Sequence, residues 1–182
     1  PIAETRIFGV LQRIALCYLF ASILLHYFKT KTVLIFSAIA LIGYHIILMV
    51  FGDLSLTGNA VLKLDKFIIG ADHMYHGNGG VAFDPEGLLS TLPAIVNVIA
   101  GFFTGKFIQK NGQNFETIAK LIMVSGLLII AGFAWDLTFP FNKKLWSSSF
   151  VLLTIGIDIF IISILIYLLD MSKPGKWTYF FE

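Results

Sequence analysis

The strongest constraint on this chain is a succession of long apolar runs separated by short polar stretches. The runs cover about 7–28, 32–51, 87–108, 117–135 and 145–169. An α-helix rises 1.5 Å per residue, so roughly twenty apolar residues carry it across the ~30 Å hydrocarbon core of a bilayer. A chain of this pattern is expected to be all-α: a polytopic membrane helical bundle with about five transmembrane helices. Residues 1–182 then form a single, partial transmembrane domain, with one long extracytoplasmic loop at 52–85.

Composition argues the same way. Only 13% of the residues are charged, and the mean hydropathy is +0.85. Soluble domains carry about 25% charged residues, which their water-facing surface requires. The net charge of +2, with lysines in short loops rather than on one basic stripe, excludes nucleic acid as a partner. A single cysteine, Cys17, permits neither an internal disulfide nor a cysteine metal centre, and reads as a small buried apolar residue. The chain starts at Pro1 with no signal-peptide pattern and reads as an internal segment of a longer protein.

The positive-inside rule gives the orientation. Lys29, Lys31, Lys106, Lys110, Lys120, Lys173 and Lys176 fall on one side of the five spans, against Arg6, Arg13, Lys63, Lys66, Lys143 and Lys144 on the other. The first side has short lysine-bearing loops and is expected to face the cytoplasm. The 52–85 loop then lies opposite. Asp84 is the expected N-cap of the third long helix, with Pro85 and Glu86 in its first turn. Gly101 and Gly105, four residues apart, suit close helix contact.

A charge inside a membrane helix costs about 2.5–3.5 kcal/mol on insertion scales, so each such residue calls for an explanation. Arg6 and Arg13 are seven residues apart, so on a helix both project from one face with Gln12 adjacent, a pattern suited to phosphate or carboxylate. The competing account is interfacial snorkelling. Asp72, His73 and His76 could ligate a metal or act as acid and base, or form a ligand-contacting loop, and no third ligand at helical spacing supports a metal. Asp84 and Glu86 place two carboxylates at a membrane boundary, where hydroxyl or amine groups could be gripped. Asn142 and Trp146 lead into Ser147–Ser149, and Trp at that level suits the interfacial belt. Asp158 is mid-helix and calls for a polar neighbour. His45 and Asn97 suit interhelical hydrogen bonds. No phosphate-binding glycine loop, G-x-S-x-G or H-E-x-x-H is present. The residues alone leave enzyme and transporter open.

Four stretches narrow this: Gly9-Val-Leu-Gln-Arg13 with Arg6; Leu64-Asp-Lys-Phe-Ile-Ile-Gly-Ala-Asp-His73; Asp84-Pro-Glu-Gly-Leu-Leu-Ser-Thr-Leu92; and Asn142-Lys-Lys-Leu-Trp146. In order and separation they resemble the heparan-α-glucosaminide N-acetyltransferase family and its bacterial transmembrane acyltransferase relatives. The resemblance implies transfer of an acetyl group from cytoplasmic acetyl-CoA to an amino sugar or glycan on the opposite face, without a metal. It implies cofactor contacts for Arg6, Gln12 and Arg13. Asp72, His73, Asp84, Glu86, Asn142 and Trp146 would serve the acceptor. The family's catalytic histidine precedes the matched stretches, so no catalytic residue is expected within this chain and the segment alone is expected to be inactive. The 52–85 loop is short for an animal enzyme. That favours a bacterial inner membrane over a lysosome, and an envelope or scavenged sugar as acceptor. Lipid is the surrounding partner, and a homo-oligomer is compatible with the pattern. The alternative class is a transporter or membrane scaffold with Arg13 and Asp158 on a polar path. Transporter folds often carry a pseudo-symmetric pair of interrupted helices, and no such pair is visible.

Overall fold

The computed structural model describes residues 5–77 and 80–172. Its long helices are α1 (Val10–Tyr27), α2 (Thr30–Phe51), α4 (Leu88–Asn111), α5 (Phe115–Asp136) and α6 (Ser148–Ile166), with a short α3 (Ala60–Ile68) between α2 and α4. A π-helical turn, Tyr167–Met171, prolongs α6. Five helices are long and apolar enough to cross a bilayer: Val10–Tyr27, Thr30–Phe51, Leu88–Asn111, Phe115–Asp136 and Ser148–Met171. Each satisfies its own backbone within one segment, which is what a lipid environment demands. Large side chains such as Leu11, Tyr18, Ile39, Val50, Met123 and Leu127 stay exposed on the flanks. Lipid tails are as apolar as these side chains, so the exposure carries no penalty in a membrane.

The segment read as a loop is not wholly irregular. α3 buries Ala60, Val61, Leu62 and Asp65 while Lys63, Lys66 and Phe67 face outward, a helical period hidden by the segment's polar average. Asn59 caps it, its side-chain oxygen accepting the Leu62 N–H at 2.7 Å. A 3₁₀ turn, Ala71–His73, follows.

α5 and α6 form the tightest helix pair. A Cβ on Gly156 would fall 2.7 Å from Ile129 Cγ1 and 3.0 Å from the Ser125 carbonyl oxygen, and one on Gly132 would fall 3.0 Å from the Leu153 nitrogen. Ser125 Oγ donates to the Gly156 carbonyl at 2.7 Å. The expected contact at Gly101 and Gly105 is not the one made: a Cβ at either meets nothing within 4 Å among the described residues. Small residues permit close approach only where a partner helix arrives, and here it arrives at α5–α6.

α4 is the hub and touches α1, α2, α3 and α6. Cys17, Ala21, Val33, Ala94, Ile95 and Ile99 pack together at the α1–α2–α4 junction, with Cys17 buried as its composition suggested. Tyr44, Leu48, Val61, Leu62, Phe83, Phe139 and Leu145 form a second cluster. It lies under the end where the 52–87 and 137–147 connections meet.

Candidate functional site

The functional candidates converge at that end. Residues approaching α1 run along the 71–76 turn, with Ile7 N donating to the His73 carbonyl at 3.1 Å and His73 Nδ1 3.0 Å from the Thr5 carbonyl. Gly9, in an extended conformation, is the N-cap, so α1 starts at Val10 and Arg6 lies outside it. Arg6 and Arg13 therefore do not share a helical face. Arg6 instead reaches across the mouth. Its Nε donates to Asp84 Oδ2 at 3.0 Å, and its Nη2 donates to Asp84 Oδ1 at 2.8 Å and Glu86 Oε2 at 2.7 Å. The guanidinium also lies 4.9 Å over the Tyr75 ring. The Asp84 hydrogen bond above all, with the charges of both carboxylates, raises the Arg6 pKa above its ordinary value despite partial burial. This is the forked, charge-assisted pairing that arginine geometry favours.

Arg13 is only 7% exposed. It donates through Nη1 to the Pro85 carbonyl at 3.0 Å and through Nη2 to the Ser90 carbonyl at 2.9 Å. Its guanidinium stacks 4.2 Å above the Trp146 ring. Two carbonyl dipoles and an aromatic face thus receive the buried charge.

Trp146 has φ of 55°, the one positive value at a non-glycine position among the described residues. A bulky side chain rarely adopts this conformation, and it persists only where the surroundings hold it. Here Asn142 Oδ1 accepts the Lys144 and Leu145 N–H groups, each at 3.0 Å, and Tyr44 donates its hydroxyl to the Leu145 carbonyl. Trp146 Nε1 donates to Asn97 Oδ1 at 3.2 Å, and Asn97 Nδ2 donates to Thr154 Oγ1 at 3.2 Å. A polar chain therefore descends from the mouth into the α4–α6 interface. Trp146→Phe keeps an aromatic face beneath Arg13 but removes the indole N–H and the packing of its five-membered ring. It is expected to cost about 2 kcal/mol, read from thermal unfolding in detergent.

The start of α4 departs from the sequence expectation. Pro85 and Glu86 precede the helix, whose N-cap is Gly87. Asp84 is 1% exposed and accepts the Glu86 N–H at 3.1 Å, in addition to binding Arg6. The Leu88 N–H goes to Asp65 Oδ1 at 3.0 Å, so the capping carboxylate comes from α3. Asp84 is turned toward Arg6, which is the stronger electrostatic partner. Asp65 was assigned no role from its local sequence. Its signal is helical period: Asp65 falls on the same face as buried Val61 and Leu62.

Against this geometry stand the known proteins. The chain is 30% identical over 141 residues to heparan-alpha-glucosaminide N-acetyltransferase from Homo sapiens, a match covering 67% of this chain and 20% of the relative. The Mus musculus protein of the same name matches at the same identity and coverage. The chain is related to the heparan-alpha-glucosaminide N-acetyltransferase family. It spans about a fifth of the length of the curated relatives it matches. No protein-family model matches the chain.

The residues that the acetyltransferase resemblance singled out fall into groups. Arg6, Arg13, Asp84, Glu86 and Trp146 are linked by the contacts above. Gln12 is exposed on another face of α1, outside the cluster. Asp72 is exposed on the 3₁₀ turn, His73 binds the Thr5 carbonyl, and His76 makes an isolated backbone bridge to Ala82. Asn142 spends its side-chain oxygen on its own turn. Of the serines, Ser147 Oγ accepts the Asn142 N–H and ties the turn before α6, while Ser148 Oγ donates to the Leu41 carbonyl and ties α6 to α2. His45 accepts the Trp135 indole N–H at 3.1 Å, the interhelical bond expected of it. Asp158 opens onto a cleft of about 160 Å³ shared with Asn97, Gly101, Thr104 and Gly105. Among the described residues no group of three His, Cys, Asp or Glu side chains could hold a metal.

Beside the Arg6 cluster is a cavity of about 260 Å³, lined by Leu56, Tyr75, Gly77, Val81, Phe83, Pro85 and Lys144. An aromatic ring, a cation and the neighbouring carboxylates suit hydroxyl- or amine-bearing ligands.

Proposed function

We propose that this chain supplies the extracytoplasmic mouth of a transmembrane N-acetyltransferase, which passes an acetyl group from cytoplasmic acetyl-CoA to an amino sugar or glycan on the opposite face. The Arg6–Asp84–Glu86 cluster carries the reading: a charged, partly accessible site at one end of a five-span bundle, in a relative of N-acetyltransferases. Arg6 and Glu86 keep 37% and 20% of their side chains exposed and are the groups that touch the acceptor, with Tyr75 and Lys144 behind them. Asp84 aims Arg6. Arg13 and Trp146 brace the wall between the mouth and the interior, toward the acetyl-CoA side. Gln12, Asp72, His73 and Asn142 carry no direct contact in this reading.

In the transfer the acceptor amine attacks the thioester carbonyl, the C–S bond breaks, CoA leaves as its thiol, and the amine gives up a proton. The base follows the family's pattern, a histidine preceding this segment. The orientation is that of the positive-inside rule, and the membrane is a bacterial inner membrane, on the shortness of the 52–85 loop. The exposed apolar flanks meet lipid.

Oriented vesicles of the full-length protein test this, with labelled acetyl-CoA on the cytoplasmic face and glucosamine on the other. Labelled N-acetylglucosamine is expected to form, and Arg6→Ala to reduce kcat/KM by about a hundredfold, the scale of one lost charge-assisted contact pair. Residues 1–182 alone are expected to give none. Turnover by the short segment, or its absence from the full protein, overturns the reading. Asp158, mid-helix and without a hydrogen bond among the described residues, favours the transporter alternative. In that case glucosamine, labelled in a parallel run, crosses the membrane unacetylated.

A further inference from the structure

Asp65 sits where α3 meets the start of α4 and has no exposed surface. Oδ1 accepts the Leu88 N–H, while Oδ2 has no hydrogen-bond partner among the described residues. A Cβ on Gly87 would fall 1.8 Å from that Oδ2, so the carboxylate and the α4 backbone pass at a distance only glycine allows. Buried carboxylates without full hydrogen bonding are rare, and each calls for a reason.

We infer that Asp65 is a positioning residue of the mouth: its buried carboxyl group holds the first turn of α4 so that the Pro85 and Ser90 carbonyls keep Arg13 stacked on Trp146.

The linkage is short. Ser90 Oγ lies 3.0 Å from both the Pro85 and Gly87 carbonyls, and Thr91 Oγ1 donates to the Gly87 carbonyl at 2.9 Å. Residues 85–91 are thus one hydrogen-bonded knot, tied to α3 at Leu88 and to α1 through Arg13 at both carbonyls. Cys17, one turn beyond Arg13, reports on the same knot: its Sγ lies 3.9 Å from the Thr91 carbonyl and is buried.

The arrangement responds to pH. Burial pushes the Asp65 carboxyl up to about 6, against the Leu88 N–H bond, with the like charge of Asp84 adding to the rise. Asp84 on the loop and Tyr44 on α2 stand within electrostatic reach of Asp65. Arg6 and Glu86 lie behind Asp84, Arg13 is turned to its carbonyls, and Lys63 and Lys66 on α3 are exposed. A raised folded-state pKa means that protonation favours the fold. This contribution is full below the ordinary 3.8 and is lost as pH rises to about 6. Above that, an ionised oxygen with no partner sits beside Asp84, and the knot loosens.

The test labels Cys17 with N-ethylmaleimide in the full-length protein in its native membrane. The Cys17 peptide is quantified by mass spectrometry, and each rate is normalised to the unfolded protein at the same pH. The wild-type rate is expected to step upward between pH 5 and pH 7. Asp65→Asn, uncharged at every pH, removes the step, and Asp65→Ala raises labelling about tenfold throughout by freeing the first turn. In the acetyl-transfer assay, which rests on the proposed activity, Asp65→Ala lowers kcat about tenfold with KM within about threefold, and Asp65→Asn recovers most of it. If Asp65→Ala does not fold, the pH step and its loss in Asp65→Asn decide alone. A step that survives in Asp65→Asn, or no step in the wild type, overturns the inference. If the wild type transfers no acetyl group, the proposed activity fails while the Cys17 rates still judge Asp65.

Discussion

Arg13→Ala is expected to lower the thermal unfolding midpoint in detergent by roughly 6–12 °C, the shift that about 3 kcal/mol gives a chain of this size. The substitution strips the donor from the Pro85 and Ser90 carbonyls at once. The Pro85 carbonyl keeps the Ser90 hydroxyl, and the Ser90 carbonyl keeps its place in the α4 ladder. The loss is therefore two hydrogen bonds from a charged donor, each worth about 1.5–3 kcal/mol, and the lost stack on Trp146 adds about 1. Release from burying a cation, and entry of water, offset part of that sum. Arg13→Lys is the sharper comparison, because an ammonium is a point donor with no planar face. It cannot fork between two carbonyls while lying flat on an indole, so it should recover less than half of the loss. A midpoint unchanged in both variants would mean that the knot at residues 85–91 stands without Arg13.

Gly156→Leu should cost about 2–4 kcal/mol by driving α5 and α6 apart. The first added carbon already meets Ile129 Cγ1 at 2.7 Å and the Ser125 carbonyl oxygen at 3.0 Å, and the backbone atom cannot move aside cheaply. Overpacking of this kind costs about 1–3 kcal/mol, and separation also weakens the 2.7 Å bond from Ser125 Oγ to the Gly156 carbonyl. Gly101→Ala is the matched control. Nothing lies within 4 Å of a Cβ there, so the better helix propensity of alanine should leave this chain unchanged or up to about 1 kcal/mol more stable. Opposite signs at two glycines of similar helical context, read as unfolding midpoints, identify which face carries the packing.

Parts of the site were legible before the fold. Arg6, Arg13, Asp84, Glu86 and Trp146 stood out because each is polar or amphipathic at the edge of an apolar run, where its presence needs a cause. Their contacts were not legible. Arg6 and Arg13 looked like one helical face because seven-residue spacing implies it, yet Gly9 starts the helix after Arg6. Asp84 looked like the N-cap because it precedes an apolar run by a few residues. The cap comes instead from Asp65, and Asp84 turns to a cation 78 residues away in sequence. α3 was hidden inside a glycine-bearing polar segment, since averaging over the segment erases the period that buries Val61, Leu62 and Asp65.

The sequence by itself determined that this chain is an all-helical bundle, with five helices among the described residues long and apolar enough to cross a bilayer. Span length is a local, additive property: enough apolar residues in a row, and the bilayer requires a helix. Only the tertiary structure decided which polar groups meet. It drew Asp65 to the head of α4, closed Arg6 on Asp84 and Glu86, laid Arg13 on a tryptophan held at positive φ, and chose Gly156 over Gly101 for close packing. Those pairings depend on distance and direction between groups far apart in the chain, and a linear pattern of residue types carries neither.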